Sequence, residues 1–304
     1  MRYQKTLRLI GLLLSALPLA AQNNTVVLKR AFVEQYKDRA TIDATFIVDH
    51  AHKHPNPPAN DGDMHVAGRA QKEVGLPMVA EVVNSAQPGE TAAVTEIHAV
   101  EGKNQPLPIT GVWRFWFEHP DKQQIQFAPV PVPQNTNPNH SFEIHPILKF
   151  DKNDVSGSFG PIDGFEPYDA ATAFGGYEKL KIIVSATSSA VTISASKAAY
   201  NYTEFEMTLA GSPKKLDDGG YAVLANVNGK ADESIASNIR MIFVPGTPPL
   251  QQLLDQKLGD GDTMHVIGIP RINLNAISTF INASGGQTLT RKLPYEMIVV
   301  AVVK

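Results

Sequence analysis

Apolar and polar residues alternate along most of this chain, and helical spacing is rare. From Arg39 to His50 the sequence reads RATIDATFIVDH. In an extended strand Ile42, Ala44, Phe46 and Val48 share one face, and Thr41, Asp43, Thr45 and Asp49 share the other. The same two-residue period predicts strands over Asp61–Gly68, Leu76–Val83, Thr95–Val100, Ile109–Glu118 and Ser141–Phe150. In the second half it predicts strands over Lys179–Val184, Val191–Ser194, Tyr200–Leu209, Tyr221–Val227 and Arg240–Val244, with a final strand inside Thr290–Val303. Leu250–Leu258 is the clear amphipathic helix, with Leu250, Leu253, Leu254 and Leu258 on one stripe. Asp169–Phe174 reads as a short helical turn. The 22 prolines and 22 glycines keep these runs short, so the expected class is all-β with a few short helices.

The first residues have another character. Arg2, Lys5 and Arg8 precede the apolar run Leu9–Leu19, and Ala20 and Ala21 follow, which is the pattern of a secretory signal peptide over residues 1–21. An exported protein, periplasmic or secreted, is therefore expected, with no membrane span after cleavage. The rest divides at a Gly/Ser/Asp-rich stretch into a first β domain over 26–155, a linker over 156–178 and a second β domain over 179–304. The chain carries no cysteine, which excludes disulfides, thiolate metal sites and cysteine nucleophiles. Its net charge is −3, and loss of the three leader cations leaves −6. That balance argues against a non-specific nucleic-acid sleeve.

Within the first domain, acidic and imidazole groups fall on shared strand faces. Asp61, Asp63 and His65 project to one side of the stretch NDGDMHVAGR, and Glu143 and His145 to one side of SFEIHPILKF. Residues two apart on a strand lie roughly 6.6 Å apart, close enough to share one metal ion. Asp63, His65, Glu143 and His145 together suit Zn²⁺, Mn²⁺ or Fe²⁺, whereas Asp61, Asp63 and Glu81 without the histidines suit Ca²⁺. Glu81 either ends a core strand or brings a third carboxylate to this face through hairpin pairing. With Asp61 and Glu81 near an open coordination position, such a centre would activate water against an ester. A shared centre requires His65 and His145 to lie within about 10 Å of each other. The alternative is a structural seam of buried polar groups.

Other features stay open on sequence alone. Arg114 and Trp116 share a face of Ile109–Glu118, either as a binding platform for a base or sugar or as the second face of a strand buried on both sides. His50, His52 and His54 run into Pro55, Pro57 and Pro58, which fits a polar loop or a weak transition-metal site. Glu96 and His98 read as plain surface. G-x-S-x-G, P-loop, dinucleotide-binding and H-E-x-x-H motifs are all missing from the sequence.

One phrase occurs twice. DGDMHVAG begins at Asp61, and DGDTMHVIG begins at Asp260 with one extra residue, Thr263, which turns His265 away from Asp260 and Asp262. The echo predicts two related β-barrel domains, with any site in the first copy. A helix followed by L-x-x-G-D-x-x-x-V-x-G resembles the closing part of an OB-fold, whose barrels bind oligonucleotides and oligosaccharides. DGDT resembles the staphylococcal-nuclease family. That resemblance implies calcium at its first aspartate and a phosphate-clamping arginine: Asp260 with Arg271, or Asp61 with Arg69. The family's D-T-P-E continuation is missing, since INLNAIS follows Arg271. Asp61-x-Asp63-x-His65-Val66 with Glu143-Ile144-His145-Pro146 also resembles a group of exported bacterial proteins carrying D-x-D-x-H-L and E-L-H-P, which implies architecture and no activity. The expected protein is a two-domain OB-like binding module. The alternative is a metal-dependent phosphodiesterase or nuclease-like hydrolase.

Overall fold

The computed structural model describes residues 24–229 and 233–303. The expected signal peptide lies outside them. No helix among the described residues is long and apolar enough to cross a membrane.

The described chain begins with β1 (Asn24–Lys29) and α1 (Arg30–Tyr36), then enters β2 (Thr41–Ala51). β3 (Met64–Arg69) and β4 (Met78–Val82) form a hairpin, followed by α2 (Thr91–Val100), β5 (Pro106–His119), β6 (Gln123–Ile125), β7 (His140–Phe150) and β8 (Asn153–Asp154). β9 (Tyr168–Asp169) and α3 (Ala170–Tyr177) lead to β10 (Lys181–Ala186) and β11 (Ala190–Ala195). β12 (Thr203–Leu209), β13 (Lys214–Lys215), β14 (Tyr221–Asn228) and β15 (Ser234–Phe243) come next. The chain closes with α4 (Pro248–Asp255), β16 (Thr263–Ile272), α5 (Leu274–Ala283), β17 (Leu289–Lys292) and β18 (Tyr295–Val302).

Two closed five-stranded barrels result, β2-β3-β4-β7-β5 and β12-β14-β15-β18-β16. Numbered within each barrel, the strands pair first with second, second with third, third with fifth, fifth with fourth and fourth with first. The third and fifth strands run parallel in both, and all other pairs are antiparallel. One helix joins the third strand to the fourth, α2 in the first barrel and α4 in the second. This is the OB-like Greek-key arrangement, and the all-β expectation with two OB-like barrels holds.

The alternating runs became barrel strands because their apolar faces fill the interiors: Ile42, Ala44, Phe46 and Val48 are all buried. Gly111 allows β5 and β7 to close, since a Cβ there would stand 2.3 Å from Ile144 Cγ2 and 2.7 Å from the Pro146 carbonyl oxygen.

Several expectations change. Thr95–Val100 is not a strand but the end of α2. Its buried Ala93, Ile97 and Val100 follow helical spacing, which a six-residue window does not separate from alternation. β10 and β11 do not join the second barrel. They form a third sheet, ordered β17-β10-β11-β1-β6, with strands drawn from the whole length of the chain. α5 and β17 were not foreseen. The DGD echo also marks no equivalence, because Asp61 precedes the second strand of its barrel and Asp260 precedes the fourth strand of the other.

The true internal correspondence is a buried ion pair. Arg114 on β5 lies opposite Glu143 on β7, and Arg271 on β16 lies opposite Glu296 on β18. In each barrel these are the fourth and fifth strands. All four residues are buried, and each pair is hydrogen-bonded, Arg271 Nε to Glu296 Oε1 at 2.6 Å. The two arginines also join the barrels. Arg114 Nε donates to the Pro270 carbonyl at 3.0 Å, and Arg271 Nη1 donates to the Trp113 carbonyl at 2.9 Å, so each reaches the residue before the other. Arg271 further donates to the carbonyls of Ala40 and Arg39 and lies 3.5 Å from the centre of the Trp113 ring. Burial lowers the Arg271 pKa to about 10, against the opposing pull of Glu296.

Arg271→Met leaves Glu296 with Arg240 alone in the seam and is expected to cost about 3–5 kcal/mol in chemical denaturation. A separate prediction concerns Glu90 at the start of α2, where burial and nearby Asp154 push the carboxyl up to about 7. The native state then binds more protons than the unfolded chain between about pH 4.5 and 7, so Glu90 destabilises progressively as pH rises through that window. Glu90→Gln is expected to raise the urea midpoint relative to wild type above pH 7, with the difference vanishing below the ordinary carboxylate range.

Candidate functional site

The acidic and imidazole groups of the first barrel meet on the outer side of its closing seam. β4 and β7 run parallel with Val79 opposite Glu143 and Ala80 opposite Ile144, which brings Glu81 alongside His145. β3 and β4 place His65 opposite Glu81. Phe142 and Ile144 enter the apolar core, so the alternate residues Glu143 and His145 face the polar cluster.

At its centre, Asp63, Glu81 and His145 each offer a ligand atom, all within 4.8 Å of one another. His145 Nε2 lies 3.3 Å from Asp63 Oδ2, and its Nδ1 lies 3.6 Å from Glu81 Oε2 and 3.4 Å from Glu143 Oε2. His65 Nε2 lies 3.4 Å from the same Glu81 oxygen, so His65 and His145 satisfy the proximity that a shared centre requires. Exposure is 0% for Asp63, 5% for Glu81 and 0% for His145, so the group is sealed from solvent.

Each partner shifts the others. Burial alone would lower the His145 pKa, but Glu81, Asp63 and Glu143 hold it well above the usual imidazole range. Burial pushes Glu81 up to about 8, only partly offset by His145. Glu143 goes the other way. Burial is the largest single influence and would raise it, but Arg114, His140 and His145 together outweigh burial and hold it well below the ordinary range. His140 Nε2 lies 3.0 Å from Glu143 Oε1. Burial lowers His65, whose Nδ1 has no partner among the described residues. The His65 ring stacks on His52 with centroids 4.7 Å apart, so the middle histidine of the H-x-H-x-H run borders the cluster.

The approach to the cluster is built from a turn. Asp61 has φ 107° and Gly62 φ 70°, and the Asp61 carboxylate accepts from the Asp63 backbone N–H at 3.0 Å. Asp61 therefore caps the turn and does not share a strand face with Asp63. The Asn84 N–H reaches Asp63 Oδ1 at 3.3 Å. The remaining partner comes from far along the chain. The Tyr202 hydroxyl donates to Asp63 Oδ2 at 2.6 Å and lies 3.0 Å from His145 Nε2. Burial, then Asp63, raises the Tyr202 pKa well above the phenol range. Sequence reasoning gave no role to Tyr202 or Asn84. Tyr202 lies 139 residues from Asp63, and its only signal was a tyrosine at the head of an alternating strand.

Three expected residues do other work. Arg69, at the far end of β3, is held by the Asp49 carboxylate with two bonds of 2.8 Å and is not near the cluster. Arg114 and Trp116 form no binding platform: they are 0% and 1% exposed, Arg114 binds Glu143 and Glu118, and Trp116 packs edge-on to Tyr177. The nuclease-like pairing of Asp260 with Arg271 also fails, because Arg271 is sealed between the barrels while Asp260 is exposed. His265 instead pairs with Glu204 at 2.8 Å. The chain matches no protein-family model and no curated protein.

Tyr202→Phe removes the donor to a buried carboxylate. It is expected to cost roughly 1–3 kcal/mol in equilibrium unfolding, the penalty of an unsatisfied buried acceptor.

Proposed function

We propose that this protein is an exported binding module whose first OB-like barrel carries a divalent-metal centre held by Asp63, Glu81 and His145. The observation that carries the reading is the convergence of three donor atoms from three chain segments within 4.8 Å. One imidazole and two carboxylates suit Zn²⁺ or Mn²⁺ better than Ca²⁺, because imidazole is a poor ligand for a hard cation. His65, 3.4 Å from Glu81, would orient that carboxylate. A metal sealed at this seam would tie β3, β4 and β7 together and stabilise the barrel that presents the binding surface. Export rests on the basic and apolar pattern of the leader.

A metal-dependent hydrolase is the second reading. It draws on Asp61 and Tyr202, which line an open cleft and also touch the cluster. It would need an open coordination position for water. The burial of all three donors and the commitment of Arg69 and Arg271 to carboxylates favour the binding module.

The test is metal content and metal-dependent thermal shift on the purified mature chain. Wild type is expected to hold about one Zn²⁺ or Mn²⁺ per chain and to melt higher as free metal rises. Glu81→Gln keeps the shape and hydrogen-bonding capacity of the side chain but supplies no anionic oxygen. It is expected to fold, to bind no metal and to show no metal-dependent shift. Wild type without metal and without a shift would make the cluster a structural polar seam. Metal-dependent turnover of a simple phosphodiester would move the assignment to the hydrolase.

A further inference from the structure

Beside the first barrel lies an open cleft of about 570 Å³, within the size range of small-molecule sites. It is formed where the segment before α3 and the segment before β12 cross the Asp61 turn and the end of β5. Its walls are aromatic. Tyr168 and Tyr200 meet edge to face, with centroids 5.1 Å apart and planes at 80°. Behind them Phe165 packs edge to face on the buried Tyr202, 5.4 Å apart at 79°. Tyr168 is 49% exposed, so a large ring stands in solvent at the cleft.

The charges along these walls are of mostly one sign. Asp61, Glu118 and Glu166 line the cleft against one ammonium group, Lys197. Glu118 is engaged with Arg114, and Asp61 with Asn56, but Glu166 makes no hydrogen bond or ion pair among the described residues. Burial lowers the pKa of His119, which also lines the cleft, so it adds no cation at neutral pH. Asn201 lines the cleft as well, and its side-chain oxygen has no donor among the described residues.

We propose that this cleft binds a small organic cation bearing an alkylated ammonium group, seated against the exposed ring of Tyr168 and faced by carboxylates. Ring faces carry partial negative charge and attract cations, most strongly cations that water solvates weakly. An alkylated ammonium is such a cation, and Tyr168, braced edge to face by Tyr200, offers it a ring that stands in solvent. A sugar would stack on one flat ring face, and an anion would meet three carboxylates. The proposal goes beyond the metal centre and does not depend on it. Every measurement is made in the presence of a chelator, so its failure and the failure of the metal reading are separate results.

The probe is choline, titrated calorimetrically into the full mature chain beside its uncharged isostere with carbon in place of nitrogen. Saturable choline binding is expected, with the isostere weaker by roughly fivefold or more. Tyr168→Ala, at an exposed ring, is expected to weaken choline by a similar factor, and Tyr168→Phe to retain it. Glu166→Gln is expected to weaken choline and leave the isostere unchanged. The proposal is overturned if choline does not bind, if the isostere binds equally well, or if Tyr168→Ala binds choline like wild type. Binding of a neutral oligosaccharide in place of choline would also overturn it.

Discussion

Two guanidinium groups buried between two barrels set the terms for the rest of the molecule. Arg114 and Arg271 each sit on a fourth strand, pair with a glutamate on the neighbouring fifth strand and donate to a carbonyl of the opposite barrel. A buried guanidinium without an anion carries a large desolvation penalty, so Glu143 and Glu296 must be present, ionised and within reach. The glutamates come within reach when the fourth and fifth strands of each barrel are in register, and the remaining guanidinium donors find their carbonyls when the barrels are docked. Barrel closure and barrel docking are thus satisfied by the same four side chains.

The candidate site follows from that arrangement. Because Glu143 is committed to Arg114, the next residue on its face, His145, meets Glu81 and Asp63 with its two nitrogens. The parallel pairing of third and fifth strands, required to close an OB-like barrel, is what places Glu81 beside it. In the second barrel the equivalent glutamate, Glu296, is shared by two arginines, Arg271 and Arg240. The carboxylate oxygen left by the fourth-strand arginine is bonded there by Arg240, and in the first barrel by His140. The two barrels therefore share a fold and a buried ion pair, while among the described residues a cluster with the spacing to hold a metal occurs in the first of them.

Much of this was legible in the sequence because strand alternation is local. The faces of Ile42–Val48, Phe142–His145 and Asp63–His65 could be read from spacing, and they delivered Asp63, His65, Glu143 and His145 to one place, with Glu81. What escaped depended on distant partners. An arginine inside GVWRFWF reads equally as an exposed platform or a buried ion, and only the opposing Glu143 and Pro270 decide. Tyr202 is assigned by its contact with Asp63 and by nothing in its own neighbourhood. The repeated DGD phrase misled because a tight turn before a strand is a local device that recurs wherever a strand begins. The informative repeat, one arginine and one glutamate on facing strands, has no contiguous form. Helices α2 and α5 were hidden for another reason: ten residues of small, β-branched and apolar types satisfy both periods over short windows.

The third sheet bears on the order in which the molecule can assemble. β1 lies opposite β11, with Asn24 facing Ala195, and β10 lies opposite β17, with Lys181 facing Lys292. As the chain emerges from synthesis, the first barrel is complete in sequence at Phe150, while the antiparallel partner of β1 is still missing. The sheet gains its last strand only when β17 appears, close to the C-terminus. Pairings of such long sequence separation carry a large loop-closure entropy and form late. Until β11 appears β1 keeps one edge unpaired, and until β17 appears so does β10, each a template for pairing with another chain. The fold thus makes its longest-range sheet the final step, and the nascent protein must be kept from association until its end is available.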